Sequence, residues 1–124
     1  MPSVYIETSI ISYLTARRSN DIRTIANQNT TIEWWEKSRH NFQLYISEFV
    51  RTEASQGDEE ASRRRLEVIE KLPLLEVEEE TRSLAKALIQ DGPLHKNSEI
   101  DAYHISIATV NGIDYLLTWN CTHI

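Results

Sequence analysis

Glu7, Glu53, Asp101 and Asn120 are the residues of this chain whose types and spacing suit chemistry. Hard divalent cations take oxygen ligands, and Mg²⁺ commonly uses one or two carboxylates together with water. A cation held by such a set activates water and neutralises charge building on a phosphodiester. The four lie far apart in sequence, so the chemistry depends on a fold that gathers them.

The gathering elements can be read from the chain itself. Ser3-Val4-Tyr5-Ile6 is a short apolar run that ends in Glu7. Asp101-Ala102-Tyr103-His104-Ile105-Ser106-Ile107-Ala108 reads as a helix with an acid in its first turn, closed by Asn111-Gly112. Tyr115-Leu116-Leu117-Thr118 then reads as a buried strand leading to Asn120. If the two strands are parallel neighbours, their polar ends emerge on one side. Glu7, Asp101 and Asn120 then surround one crevice, where open α/β sheets bind ligands.

Each candidate has a plainer reading. Ser98-Glu99-Ile100-Asp101 matches a capping box, so capping and metal binding both stay open for Asp101. Glu53, taken alone, reads more readily as an exposed helix carboxylate. Glu7 has the strongest local case, because a carboxylate at the end of a buried strand is poorly solvated and needs a partner. His104, one turn beyond Asp101, reads as a packing residue, and no local motif makes Cys121 a nucleophile. Carboxylates gathered without a cation repel, which should push at least one of their pKa values up.

The elements between follow from periodicity and caps. Residues 3–7 read as a strand, and Thr8-Ser9 offers capping hydroxyls for a helix through Leu14. A polar loop covers residues 15–20. Asp21 then caps a helix whose apolar positions are Ile22, Ile25, Ile32 and Trp35, ended by Asn41. Trp34-Trp35 reads as packing in preference to a base-stacking platform. Phe42–Ile46 alternates as a strand. Ser47 caps a helix running to Gly57, and Asp58 caps the next, with Ala61, Leu66, Ile69 and Leu72 on its apolar face. Arg63-Arg64-Arg65 sits among Glu59, Glu60, Glu67 and Glu70 and reads as a solvated helix face. Leu74–Val77 is a third strand. Glu78-Glu79-Glu80 is the acidic first turn of a helix carrying Leu84, Ala85, Leu88 and Ile89, stopped by Asp91-Gly92-Pro93. The order is β-α-α-β-α-α-β-α-α-β, which points to α/β architecture with a mainly parallel sheet.

Composition bounds the function. The 124 residues favour one domain, large enough to fold without a metal or disulfide. One cysteine permits no internal disulfide and fits a reducing compartment. No apolar run approaches a membrane span, and the N-terminus lacks signal-peptide character, so a cytoplasmic location is expected. A net charge of −6, from 19 acids against 13 Lys and Arg, argues against a passive nucleic-acid binder. It leaves room for an enzyme whose cation supplies local positive charge. The chain stops just after the fourth strand, at Cys121-Thr122-His123-Ile124, which suggests either truncation or an edge covered by a partner.

Three segments together resemble a PIN domain of the kind found in VapC-type toxins of bacterial toxin–antitoxin pairs. They are Val4–Leu14 with Glu7, Ile46–Glu53, and Asp101–Ile105 with Leu116–Asn120. The resemblance covers essentially the whole chain and implies a single PIN-like domain over 1–124, a three-layer α/β/α sandwich. It implies an endoribonuclease dependent on Mg²⁺ or Mn²⁺, cutting RNA, forming a homodimer and neutralised by a cognate antitoxin. Glu7, Glu53 and Asp101 would ligate metal. Asn120 would orient a water or help to hold a second ion, and Thr8 and Thr118 would support the site or touch phosphate. Where the family usually has Asp, this chain has Glu7, as in one subgroup, and Asn120, which removes a negative charge. Two other readings compete: a catalytically weak PIN-like module acting through protein binding, and an unrelated receiver-like domain. The second lacks an evident phosphoacceptor Asp and a final-strand Lys.

Overall fold

The computed structural model describes residues 1–90 and 99–120. The expected stop at Asp91-Gly92-Pro93, the capping role of Ser98 and the tail at 121–124 lie outside the described residues. The elements run β1 (Ser3–Ile6), α1 (Thr8–Thr15), α2 (Ile22–Lys37), a 3₁₀ turn (Arg39–Asn41), β2 (Gln43–Ser47), α3 (Glu48–Ala54), α4 (Glu59–Ile69), β3 (Leu74–Leu75), α5 (Glu79–Gln90), α6 (Glu99–Val110) and β4 (Tyr115–Leu117).

The sheet has the order β3-β2-β1-β4, and every pairing is parallel. Strand β1 sits inside, with Val4 opposite Leu44 on one side and Tyr115 on the other. Parallel strands buried on both faces read as continuous apolar runs, and Val4, Tyr5 and Ile6 are all buried. Right-handed crossovers carry the chain from β1 to β2 to β3 over one face. The return from β3 to β4 runs the opposite way and so crosses the other face. Accordingly α1 packs on α2, α3 and α4, while α5 packs on α6, the expected three-layer α/β/α sandwich. The strand order reverses between β1 and β4, so the ligand crevice of such a sheet lies at their carboxyl ends.

Local signals set most boundaries. Asp21 accepts from the Thr24 amide at 2.9 Å and Asp58 from that of Ala61 at 3.0 Å, capping α2 and α4. Ser47 caps α3. Gly112 takes φ +65° after α6, and the Ile113 amide reaches back to the Ala108 carbonyl at 2.9 Å, a Schellman closure.

Several expectations need correction. The cap of α1 is Glu7, whose carboxylate accepts from the Ser9 amide, so the strand ends at Ile6 and Thr8 is already helical. Helix α3 ends at Ala54, three residues before Gly57, which turns the chain at φ +85°. The third strand is two residues long, Leu74–Leu75, because only those pair with Ile46 and Ser47.

The inward face of α2 is only partly the apolar set: Ile25 and Ile32 are half-buried and Trp35 packs against the core. Ile22 is 84% exposed, and the buried residues are Gln28 and Thr31. Gln28 braces the preceding loop, donating to the Arg17 carbonyl at 2.9 Å and accepting from the Ser19 amide at 3.1 Å. Thr31 accepts from the Trp119 indole at 2.7 Å. Trp34 and Trp35 do pack against the core, Trp34 stacking on Phe42 and the Arg39 guanidinium lying over Trp35.

The arginine run is only partly a solvated face. Arg64 donates to the Thr15 carbonyl at 3.0 Å, and Arg65 to those of Ala54 at 3.0 Å and Gln56 at 2.6 Å. Each thus satisfies a helix C-terminus that has no intrahelical donors of its own. Replacing Arg65 by Met keeps the stem and removes both bonds. We expect urea unfolding to show a loss of about 1.5–3 kcal/mol, the range for hydrogen bonds to charged groups. Arg63→Met, on the exposed face, should stay within roughly 0.5 kcal/mol.

Among the described residues, no helix is long and apolar enough to cross a membrane.

Candidate metal centre

Glu7 leaves the end of β1 and turns directly into α1, so its carboxylate is set by strand and helix together. It is 5% exposed. Its Oε1 accepts from the Ser9 and Thr118 hydroxyls, both at 2.5 Å, and its Oε2 from the Ser9 amide at 3.1 Å. Those hydroxyls are themselves held by backbone donors beyond β4. The Trp119 amide donates to Ser9 Oγ at 2.8 Å and the Asn120 amide to Thr118 Oγ1 at 2.9 Å. The β1–β4 register brings these two strand ends together, with the Glu7 amide bonded to the Leu117 carbonyl at 3.1 Å.

Glu53 arrives from α3. Its Oε1 accepts from the Thr8 hydroxyl at 2.7 Å and from His104 Nε2 at 2.8 Å. Burial raises the Glu53 pKa, but the bonds from His104 and Thr8 outweigh burial and hold it below the usual carboxylate value. The repulsion expected among gathered acids therefore does not dominate at this residue. Nor is Glu53 a free surface acid, its side chain being 32% exposed.

Asp101, in the first turn of α6, is 8% exposed, and its Oδ1 accepts from Asn120 Nδ2 at 3.2 Å. Glu7, Glu53 and His104 bring ligand-type atoms within 4.8 Å of one another, and the Asp101 carboxylate stands outside that close group. The structure thus pairs Glu7 with Glu53 and Asp101 with Asn120. Thr118 links the pairs through Glu7 on one side and the Asn120 amide on the other. Thr8 and Thr118 both point their hydroxyl protons at carboxylates, which makes them supports of the cluster.

His104 was expected to be a packing residue. It is fully buried, yet both ring nitrogens are engaged, Nε2 with Glu53 and Nδ1 with the Tyr5 hydroxyl at 2.6 Å. Its position three residues after Asp101 puts it on the same helical face, which was the one signal available in sequence. Ser9 was foreseen only as a cap, and it is in fact a donor to Glu7.

The donor set fits a hard cation. Glu7 is a buried carboxylate whose partners are two hydroxyls and an amide, and among the described residues no Lys or Arg forms an ion pair with it. Burying a carboxylate without a counter-charge costs several kcal/mol. Three of its roughly four acceptor positions are used, which leaves one lone pair for a ligand bond. Nothing among the described residues donates to Glu53 Oε2. His104 fits a ligand role poorly, because its Nε2 proton goes to Glu53 and its Nδ1 faces Tyr5.

No curated protein matches the sequence. Among solved structures, the fold is similar to that of VapC20 from Mycobacterium tuberculosis, described as a sarcin-ricin loop cleaving toxin. That match has a TM-score of 0.69 and 16% identity, over 97% of this chain and 92% of the other. It is also similar to a chain of VapBC2 from Rickettsia felis, solved bound to a DNA fragment from its promoter. There the TM-score is 0.59 and the identity 18%, over 96% and 88% of the two chains. The family model of the PIN domain matches residues 4–120, essentially the span that carries the sheet and the acidic cluster, and the chain belongs to the PIN domain family.

Proposed function

We propose that the chain is a metal-dependent endoribonuclease, the VapC-type toxin of a toxin–antitoxin pair. The observation that carries this is the Glu7–Glu53 pair at the switch point of a PIN-domain sheet, with the Glu7 charge met, among the described residues, by hydroxyls and an amide. Glu7 and Glu53 would hold Mg²⁺ or Mn²⁺, with Asp101 and Asn120 beside them. When bound, the ion supplies Lewis acidity and charge neutralisation at a phosphodiester. The protein's own share is to fix its carboxylates. Ser9 and Thr118 hold Glu7, Thr8 and His104 hold Glu53, and Asn120 holds Asp101.

The similarity to VapC20 and to a VapBC2 complex supports RNA as the substrate class and a small antitoxin as the partner. In the same reading the protein works as a homodimer in the cytoplasm. The net charge of −6 agrees with RNA being engaged through a bound cation more than through a basic surface.

The test is cleavage of a mixed single-stranded RNA pool with Mn²⁺ or with EDTA, by wild type and by Asp101→Asn. Wild type is expected to cut only with metal. Asp101→Asn should fold normally and lose at least about a hundredfold in rate, as removing several kcal/mol of charge stabilisation requires. Wild-type-like cleavage by the variant would sink the reading. A folded wild type that binds Mn²⁺ but cuts nothing would favour the module acting through protein binding, or a target absent from the pool.

A further inference from the structure

Five elements meet in one buried chain of polar groups behind Glu53. Val50 N–H at the start of α3 donates to Ser47 Oγ at 3.4 Å. Ser47 Oγ lies 2.6 Å from the Tyr5 hydroxyl, which lies 2.6 Å from His104 Nδ1. His104 Nε2 ends the chain on Glu53 Oε1 at 2.8 Å. Thr8 of α1 joins at the same oxygen. Tyr5, Ser47 and His104 are each 0% exposed, so no solvent substitutes for any of these bonds. A carboxylate only accepts, so Nε2 carries the proton, and the Nδ1–Tyr5 and Tyr5–Ser47 bonds run in series behind it to the Val50 amide. Burying four polar groups in the middle of an apolar core is unfavourable unless every one is satisfied, and here every one is.

We infer that His104, backed by Tyr5 and Ser47, is a positioning residue that orients Glu53 for a divalent cation. The inference rests on the proposed reading of Glu53 as a metal ligand. His104 and Thr8 commit Oε1, which fixes the plane of the carboxylate and leaves Oε2 as the ligand atom. Partners that orient a ligating carboxylate in this way commonly change metal affinity or activity about 10–100-fold when removed.

The test compares His104→Leu, His104→Gln and Tyr5→Phe with wild type. The Mn²⁺ Kd is taken from metal-induced melting shifts, and RNA cleavage is measured across the same titration. Gln places an amide N–H near the Nε2 position, whereas Leu fills space without a donor. The expected result is a Mn²⁺ Kd raised about 10–100-fold in His104→Leu, with activity recovering at high Mn²⁺. His104→Gln should stay within about threefold of wild type, by the same logic of a retained donor. Tyr5→Phe removes one oxygen and should shift the Kd in the same direction as Leu, by less. It also carries the test if His104→Leu fails to fold. An unchanged Kd in folded His104→Leu, or in Tyr5→Phe where Leu does not fold, overturns the positioning role. So does a Gln variant as impaired as Leu, which would make the ring a packing element. Wild type that shows no Mn²⁺-induced shift overturns the metal site itself and this role with it.

Discussion

In Glu7→Gln protein, Mn²⁺ should leave the melting temperature unchanged, and RNA cleavage should fall at least about a hundredfold. Wild type should behave in the opposite way. At a hundredfold excess over Kd, a ligand that binds only the native state adds about 2.7 kcal/mol, roughly 10 °C for a domain of this size. The reason is that, among the described residues, no cation pairs with the Glu7 charge. It is buried to 5% exposure, and its partners are the Ser9 and Thr118 hydroxyls and the Ser9 amide. A glutamine there keeps one acceptor for the amide, and the two hydroxyls can rotate to receive its N–H. Removing a buried charge that no described Lys or Arg pairs with should then leave the metal-free variant at least as stable as metal-free wild type. Melting both proteins with EDTA and with Mn²⁺ separates the two effects. A metal shift that survives in Glu7→Gln would mean that the ion sits elsewhere.

The outline of this fold was legible in the chain because its signals are local. Alternating strand and helix patterns gave the element order, and Asp21, Ser47 and Asp58 cap the helices they precede. What was not legible depends on partners far away in sequence. Nothing near Thr31 says that it will receive the indole proton of Trp119, 88 residues on. Gln28 and Thr31 look like the polar face of α2, and they become its buried face because a loop and a tryptophan need their donors and acceptors. Arg64 and Arg65 look like solvated cations until α1 and α3 end beside them with open carbonyls.

The candidate site divides along the same line. Glu7 stood out because it ends a buried strand, and parallel pairing of β1 with β4 brings Thr118 to it. Glu53 looked unremarkable, since an acid on a helix is common, and only the approach of Thr8 and His104 distinguishes it. His104 is reached from Glu53 across 51 residues and from Tyr5 across 99, so periodicity could show only that it points inward. An inward-pointing histidine is usually a packing residue. What this one touches was decided by the sheet order, which no local pattern encodes.

The clearest physical contrast between pattern and packing is in two isoleucines. Ile46→Ala should lower the unfolding free energy by about 2–5 kcal/mol, and Ile22→Ala should change it by less than about 0.5 kcal/mol. Both residues sit in periodic apolar patterns, and both lose the same atoms. Ile46 is 1% exposed on β2, within the core cluster that includes Tyr5, Ile6, Val50 and Ile69. Truncating it leaves a cavity that its neighbours cannot close, since strands on either side fix the backbone, and its amide stays bonded to the Pro73 carbonyl. Ile22 is 84% exposed at the first position of α2, where alanine loses little burial and is the better helix former. Urea unfolding of both variants, with unchanged m-values, gives the two numbers directly. A small loss at Ile46 would mean that the sheet relaxes around the missing side chain. The strand ends carrying Glu7 and Ser47 would then be held less rigidly than their hydrogen bonds indicate. A large loss at Ile22 would place that side chain against something in the folded protein, which its exposure does not allow.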